Sequence, residues 1–124
     1  MREIRGYYIC IVYVYNILYD LYYVHINYNY SGIKMGVHFT DKYSLLHLAS
    51  GIVAYYWGVS FIAWFVAHAA FELIENTPAG MRVIRWFKLW PGGKSHADSA
   101  WNSTGDQFYS CVGWAIAHYY SKIS

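Results

Sequence analysis

The sequence predicts an all-α protein, an integral membrane bundle of about four short helices with a tight hairpin between the second and third. Three observations carry that expectation. Tyr43 to Phe71 is a run of 29 residues without Asp, Glu, Lys or Arg, and about 20 apolar residues suffice for one helix to cross a bilayer. Charged residues make up 13 % of the 124, about half the roughly 25 % usual in soluble domains. Aromatic residues reach 22 %, with 15 Tyr and 6 Trp, side chains that suit a membrane interface because the ring is buried while the polar tip stays wet.

The elements follow in order within a single domain spanning 1–124. Residues 1–42 supply a first helix and a polar loop, and residues 43–124 the helical core. Arg2 and Arg5 precede an uncharged run from Gly6 to Tyr19, which reads as a retained helix over roughly 6–24 because no small-residue cleavage site follows it. The long uncharged run, extended through Asn76, makes a single helix of about 50 Å at 1.5 Å per residue. Gly58 therefore reads as a hinge between helices at 42–57 and 59–76. Pro78 and Gly80 stop the second of these, and 77–97 reads as a loop. In it Arg82, Arg85 and Lys88 alternate with Met81, Val83, Ile84, Trp86, Phe87 and Trp90, a basic amphipathic pattern suited to a membrane surface. The last helix is expected over 98–120.

A net charge of +2 is too small to argue for nucleic acid, so no nucleic-acid partner is expected. Glycine-rich phosphate loops, nucleophile elbows and H-E-x-x-H are absent from the sequence. What stands out is ionisable residues inside apolar helices, where they are costly and survive only when compensated. His68, Glu72 and Glu75 fall at i, i+4 and i+7, one stripe of a helix. Asp98, Asn102 and Asp106 fall at i, i+4 and i+8, again on one side. His47 lies one turn into its own helix, with Gly51 beneath it allowing close approach.

Three such stripes meet most economically in one cluster. A divalent metal (Zn, Mn, Fe or Mg) is the cofactor this set would take, with His47, His68, Glu72, Glu75, Asn102 and Asp106 as candidate ligands. Asp98 and Asp106 are about 12 Å apart along an ideal helix, so Asp98 is read as a helix cap or an outer partner of the site. The competing reading is a hydrogen-bonded polar network joining the helices.

Leu46-His47-Leu48-Ala49-Ser50-Gly51, Ala70-Phe71-Glu72-Leu73-Ile74-Glu75-Asn76-Thr77-Pro78 and Asp98-Ser99-Ala100-Trp101-Asn102-Ser103-Thr104-Gly105-Asp106 together resemble a family of uncharacterised bacterial multipass membrane proteins. That family carries an E-x-x-E-N-S-P helix end and a G-D-S-x-x-N-S-x-x-D helix start, and is distantly similar to VanZ-like membrane proteins. The resemblance covers about residues 43–120. It implies a small helical membrane bundle with a polar cluster at His47, Glu72, Glu75, Asn76, Asp98, Asn102 and Asp106. His96-Ala97 stands where the family has a glycine before the Asp, and the first 42 residues match nothing in it.

Two functions are expected on these grounds. The first is a structural subunit of a larger membrane assembly, such as a respiratory complex or an internal virion membrane, with the lipid bilayer and other membrane subunits as partners. The second is a metal-dependent, hydrolase-like enzyme acting on lipid-linked or headgroup substrates, with Glu72 as ligand or base and His47 as ligand or acid. Both place the chain as a multipass protein of a mitochondrial inner, bacterial or viral internal membrane.

Overall fold

The structure is a computed structural model that describes Asn16 and residues 36–87 and 93–123. The expected helix over 6–24 lies outside the described residues apart from Asn16. Among the described residues there are four helices and no strand: α1 (Ser44–Tyr56), α2 (Phe61–Glu75), α3 (Pro78–Trp86) and α4 (Ala100–Ile123).

The all-α expectation holds, but the helices are not quite the expected set. Residues 77–97 were read as a loop, and α3 lies within them. Pro78 does not end a helix there. It opens one, at the first helical position where its missing N–H has no partner to lose, and the Thr77 side chain accepts from the Gly80 N–H at 3.0 Å as the cap. The final helix begins two residues later than expected and runs three further, through Ile123. Among the described residues no helix is long and apolar enough to cross a membrane. α1 has 13 residues and α2 has 15, against the 20 or so a crossing needs. α4 has 24, but Asn102, Asp106 and Gln107 occupy its first half.

α1 and α2 form the predicted hairpin. Gly58 turns it with φ +78°, a left-handed conformation that costs side-chain-bearing residues about 1–2 kcal/mol. Ser60 then caps α2, accepting from the Ala63 N–H at 3.3 Å.

α4 packs chiefly on α1, and the two run parallel. His47 faces Asp106, Gly51 abuts Ser110 and Trp114, and the Tyr55 hydroxyl bonds to Ser121. Gly51 and Gly113 make that approach possible. A methyl on Gly51 would collide with the Ser110 carbonyl oxygen, and one on Gly113 with that of Leu48, so both backbones are in contact along the seam, as in small-residue helix pairs within membranes. α2 lies antiparallel to α4. The Trp64 indole N–H donates to the Ser110 carbonyl at 3.2 Å, and Trp114 to the Val59 carbonyl at 2.8 Å.

The burial pattern is inverted relative to an ordinary small domain. Among the described residues the fully buried set holds four apolar side chains, Leu46, Ala49, Ala54 and Ala117, against eight polar ones. On α2, His68, Glu72 and Glu75 face inward, while Ile62, Val66 and Leu73 face out, Ile62 at 75 % and Leu73 at 76 % exposure. The polar stripes read from sequence thus converge in the interior, and the apolar faces form the outside.

Candidate metal centre

His47 from α1 and His68 and Glu72 from α2 bring one donor atom each to a single point. His47 Nδ1 lies 3.0 Å from His68 Nε2, and Glu72 Oε1 lies 3.5 Å from the former and 3.8 Å from the latter. An ion holding imidazole and carboxylate donors at about 2.0–2.1 Å in a tetrahedron sets them about 3.3 Å apart. The three separations bracket that value, so a first-row ion fits with shifts of a few tenths of an ångström. All three side chains are buried.

The outward side of each imidazole is held in the way a metal ligand requires. The Gln107 amide nitrogen donates to the Phe65 carbonyl at 3.1 Å, which turns its oxygen toward His68 Nδ1 at 2.9 Å. His68 Nδ1–H therefore donates to Gln107, leaving Nε2 as a lone pair aimed at the centre. His47 Nε2 lies 3.4 Å from Asp106 Oδ2. When His47 Nδ1 binds an ion, the proton sits on Nε2 and points at that carboxylate, the carboxylate–histidine–metal arrangement that fixes ring orientation and raises ligand basicity.

Glu72 is the decisive residue. Both of its carboxyl oxygens, and Oδ1 of Asp106, are buried without a hydrogen-bond partner among the described residues. A buried polar group left unpaired costs about 1–3 kcal/mol, more when charged. A proton shared with the neighbouring Glu75 would answer part of that need, and an ion bound by the ionised carboxylate would answer it as well.

Burial pushes the Glu72 carboxyl up to about 9, with repulsion from Glu75 and Asp106 outweighing the opposing pull of Lys94. Burial, then Asp41, Asp98 and Glu75, raises Asp106 to about 8 against the same lysine. Burial lowers His47 to about 3, helped by neighbouring His68 and Lys94, and lowers His68 despite its bond to Gln107. Both histidines are thus neutral near pH 7, the form in which an imidazole can take a metal. Without an ion the two carboxyls hold protons that an ion would displace.

The remaining predicted residues divide. Glu75 is buried close by, but its Oε1 accepts from Lys94 Nζ at 3.0 Å. Asn102 does not reach the donor atoms: its amide donates to the His38 carbonyl at 2.5 Å and to Asp41 Oδ2 at 3.0 Å, tying the 36–41 loop to α4. Asp98 does not cap α4. Ser99 does, accepting from the Asn102 N–H at 3.1 Å. Because α4 starts at Ala100, the 12 Å helical spacing of Asp98 and Asp106 does not apply. The chain folds back, and Asp98, Asp106 and Glu72 each bring an oxygen to within 4.8 Å of the others. Asn76 holds this turn. Its Oδ1 accepts from the Asp98 N–H at 2.7 Å, and its amide donates to the Glu72 carbonyl at 2.8 Å and to Ser103 Oγ at 3.2 Å.

No family model, curated protein or solved structure matches the chain. The geometry therefore has to speak for the site by itself.

Three of its residues escaped the sequence reading. Lys94 bonds Glu75 and Asp98 together, Gln107 orients His68, and Asp41 accepts from the backbone of Gly36 and Tyr43 as well as from Asn102. Gln107 follows Asp106 directly in the polar first half of α4, and that placement was a usable signal for it. Replacing Gln107 with Leu is expected to weaken zinc binding on the order of 10–100-fold, the usual effect of losing a ligand-orienting partner, read by competition with a chromophoric chelator.

Proposed function

We propose that the protein is a membrane-seated helical metalloprotein that holds one divalent transition ion on His47 Nδ1, His68 Nε2 and Glu72, with Asp106 and Gln107 orienting the two imidazoles. The observation that carries this is the buried Glu72 carboxyl, unpaired on both oxygens at the one point where two imidazole nitrogens converge. Two histidines and a glutamate are a donor set of hydrolytic zinc centres, whose fourth position is left to water or substrate. Beside it lies a small cavity, lined by Tyr43, Leu46, His47, Glu75, Lys94, Asp98 and Asp106, with room for about one water. The donor set would suit metal-assisted hydrolysis, with an ion there lowering the pKa of a bound water, and a lipid-linked or headgroup ester is the substrate class the membrane reading favours.

The inverted surface supports a membrane setting. Ile62, Leu73 and Trp86, at 75–81 % exposure, need lipid or other membrane subunits to cover them. That surface also favours a second reading, a structural subunit in which the ion only staples α1 to α2.

The test is elemental mass spectrometry on protein purified in mild detergent, beside a Glu72→Gln variant. Wild type should carry close to one equivalent of Zn, Mn or Fe, and the variant almost none, while its helical circular dichroism is unchanged. A wild type that takes up no ion after incubation with all three would overturn the proposal. So would a Glu72→Gln variant that keeps both its helices and a full equivalent of ion.

A further inference from the structure

Lys94 occupies an unusual place. Its half-buried ammonium lies between Glu75 Oε1 and Asp98 Oδ2, in the cavity that His47 and Asp106 also line. Burial works against its charge, but the bonds to Asp98 and Glu75 more than offset that and hold its pKa above the ordinary lysine value. It is a cation fixed by carboxylates, beside three carboxyls that converge by themselves: Glu72, Asp98 and Asp106.

Asp106, 2 % exposed, keeps one oxygen without a partner, and Glu72, 5 % exposed, has two oxygens of which the histidine site uses one. Glu72 Oε2 and Asp106 Oδ1 are thus left over by an ion on the histidine site.

We propose that Glu72, Asp98 and Asp106 form a second divalent-cation position, bridged to the first by the Glu72 carboxylate, and that Lys94 is a built-in cation that holds this position closed. The proposal rests on the histidine site being a metal site. The two positions differ in chemistry. The first, with two imidazoles, suits zinc or iron. The second is all oxygen and suits manganese or magnesium. An ion entering the second position would meet the Lys94 ammonium and displace it from Asp98. Two ions sharing a carboxylate stand about 3.5–4 Å apart, the spacing at which a pair of metals clamps both oxygens of a displacement.

The test is titration of the ion-stripped protein with Mn²⁺, following bound equivalents by equilibrium dialysis and the spin signal by electron paramagnetic resonance. Wild type should bind a first equivalent tightly and a second more weakly, with an exchange-coupled spectrum appearing as the second fills. Lys94→Met should tighten the second step on the order of tenfold or more, because a unit charge within about 4 Å of the incoming ion is gone. Asp98→Asn should remove the second step and leave the first. One equivalent and an uncoupled spectrum in wild type up to about 10 mM Mn²⁺, where binding would be weaker than about 3 kcal/mol, overturns the second position. An unchanged second step in Lys94→Met overturns the role of the lysine. Should Lys94→Met not fold, the wild-type titration decides the site alone. No bound ion at all is the separate failure of the histidine site.

Discussion

Stripped of metal, the protein is expected to lose thermal stability steadily as pH rises from about 6.5 to about 9, and to recover it when zinc is added. The sign follows from the two buried carboxyls. Glu72 is raised from 4.5 to about 9 and Asp106 from 3.8 to about 8. Across those intervals the folded state keeps protons that the unfolded state has released, so raising the pH draws the equilibrium toward the unfolded chain. Each group contributes at most about 1.4 kcal/mol per pH unit, and their coupling makes the sum smaller than twice that. His47 acts in the opposite sense. Lowered from 6.5 to about 3, it costs stability only as pH falls below 6.5, so the alkaline limb belongs to the carboxyls. The groups facing Glu72 are His68 and Glu75 on its own helix, His47 on α1, Asp106 on α4, and Lys94 and Asp98 before it. Lys94 keeps its charge throughout this window, since its pKa is raised above 10.5. An ion removes the penalty because it binds the ionised carboxylate, so metal-loaded protein gains where stripped protein loses. Melts in detergent at intervals across the window, with chelator and with zinc, give the answer. A flat melting temperature in chelator would show that these carboxyls are not held neutral. Glu72→Gln should remove its share of the slope.

Gly51→Val and Gly113→Val are each expected to separate α1 from α4, at a cost of about 3 kcal/mol or more, the upper end for overpacked interiors. The reason is what the new side chain would strike. At both positions it is a backbone carbonyl of the partner helix, Ser110 for Gly51 and Leu48 for Gly113, and a helix backbone cannot rotate aside as a flexible side chain can. Separation reaches the site, because His47 rides on α1 and its partner Asp106 on α4. Denaturant midpoints and zinc affinity should therefore fall together. Gly58→Val is the contrast: nothing lies within 4 Å of an added methyl there, so it strains only its turn and leaves zinc affinity intact. A Gly113→Val protein with wild-type midpoint and affinity would show that the seam is looser than described.

Much of the site was legible because helical spacing is a strong rule. His68, Glu72 and Glu75 fell on one stripe by counting, and they are buried together. His47 with Gly51 below it pointed to a close helix contact, and the contact exists. The failures come where periodicity stops. Asp98 was counted onto α4 by a spacing that fits a helix, yet Ser99 makes the better cap, and the chain turns back one residue before it. Pro78 carries one meaning as a terminator and another as a first residue, and only Thr77 accepting from Gly80 decides between them. Lys94 lies in a non-helical stretch where no repeat tells which way a side chain faces. The shortness of α1 and α2 was visible in the residue count, but their failure to qualify as crossings depends on where the helices stop.

The parallel pairing of α1 with α4 has a consequence for biogenesis. Parallel neighbours cannot be joined by a short turn, and here α2 and α3 lie between them in the chain; Tyr55 and Ser121 are 66 positions apart. Closing so long a loop is entropically costly and slow compared with forming the α1–α2 hairpin. During synthesis the hairpin carrying His47, His68 and Glu72 emerges first, and Asp106 and Gln107 arrive only with α4. A nascent chain can therefore gather the three donors before anything holds their rings in place. On the proposed reading, tight retention of an ion is expected only of chains in which α4 has docked, and the ion would in turn favour that docking.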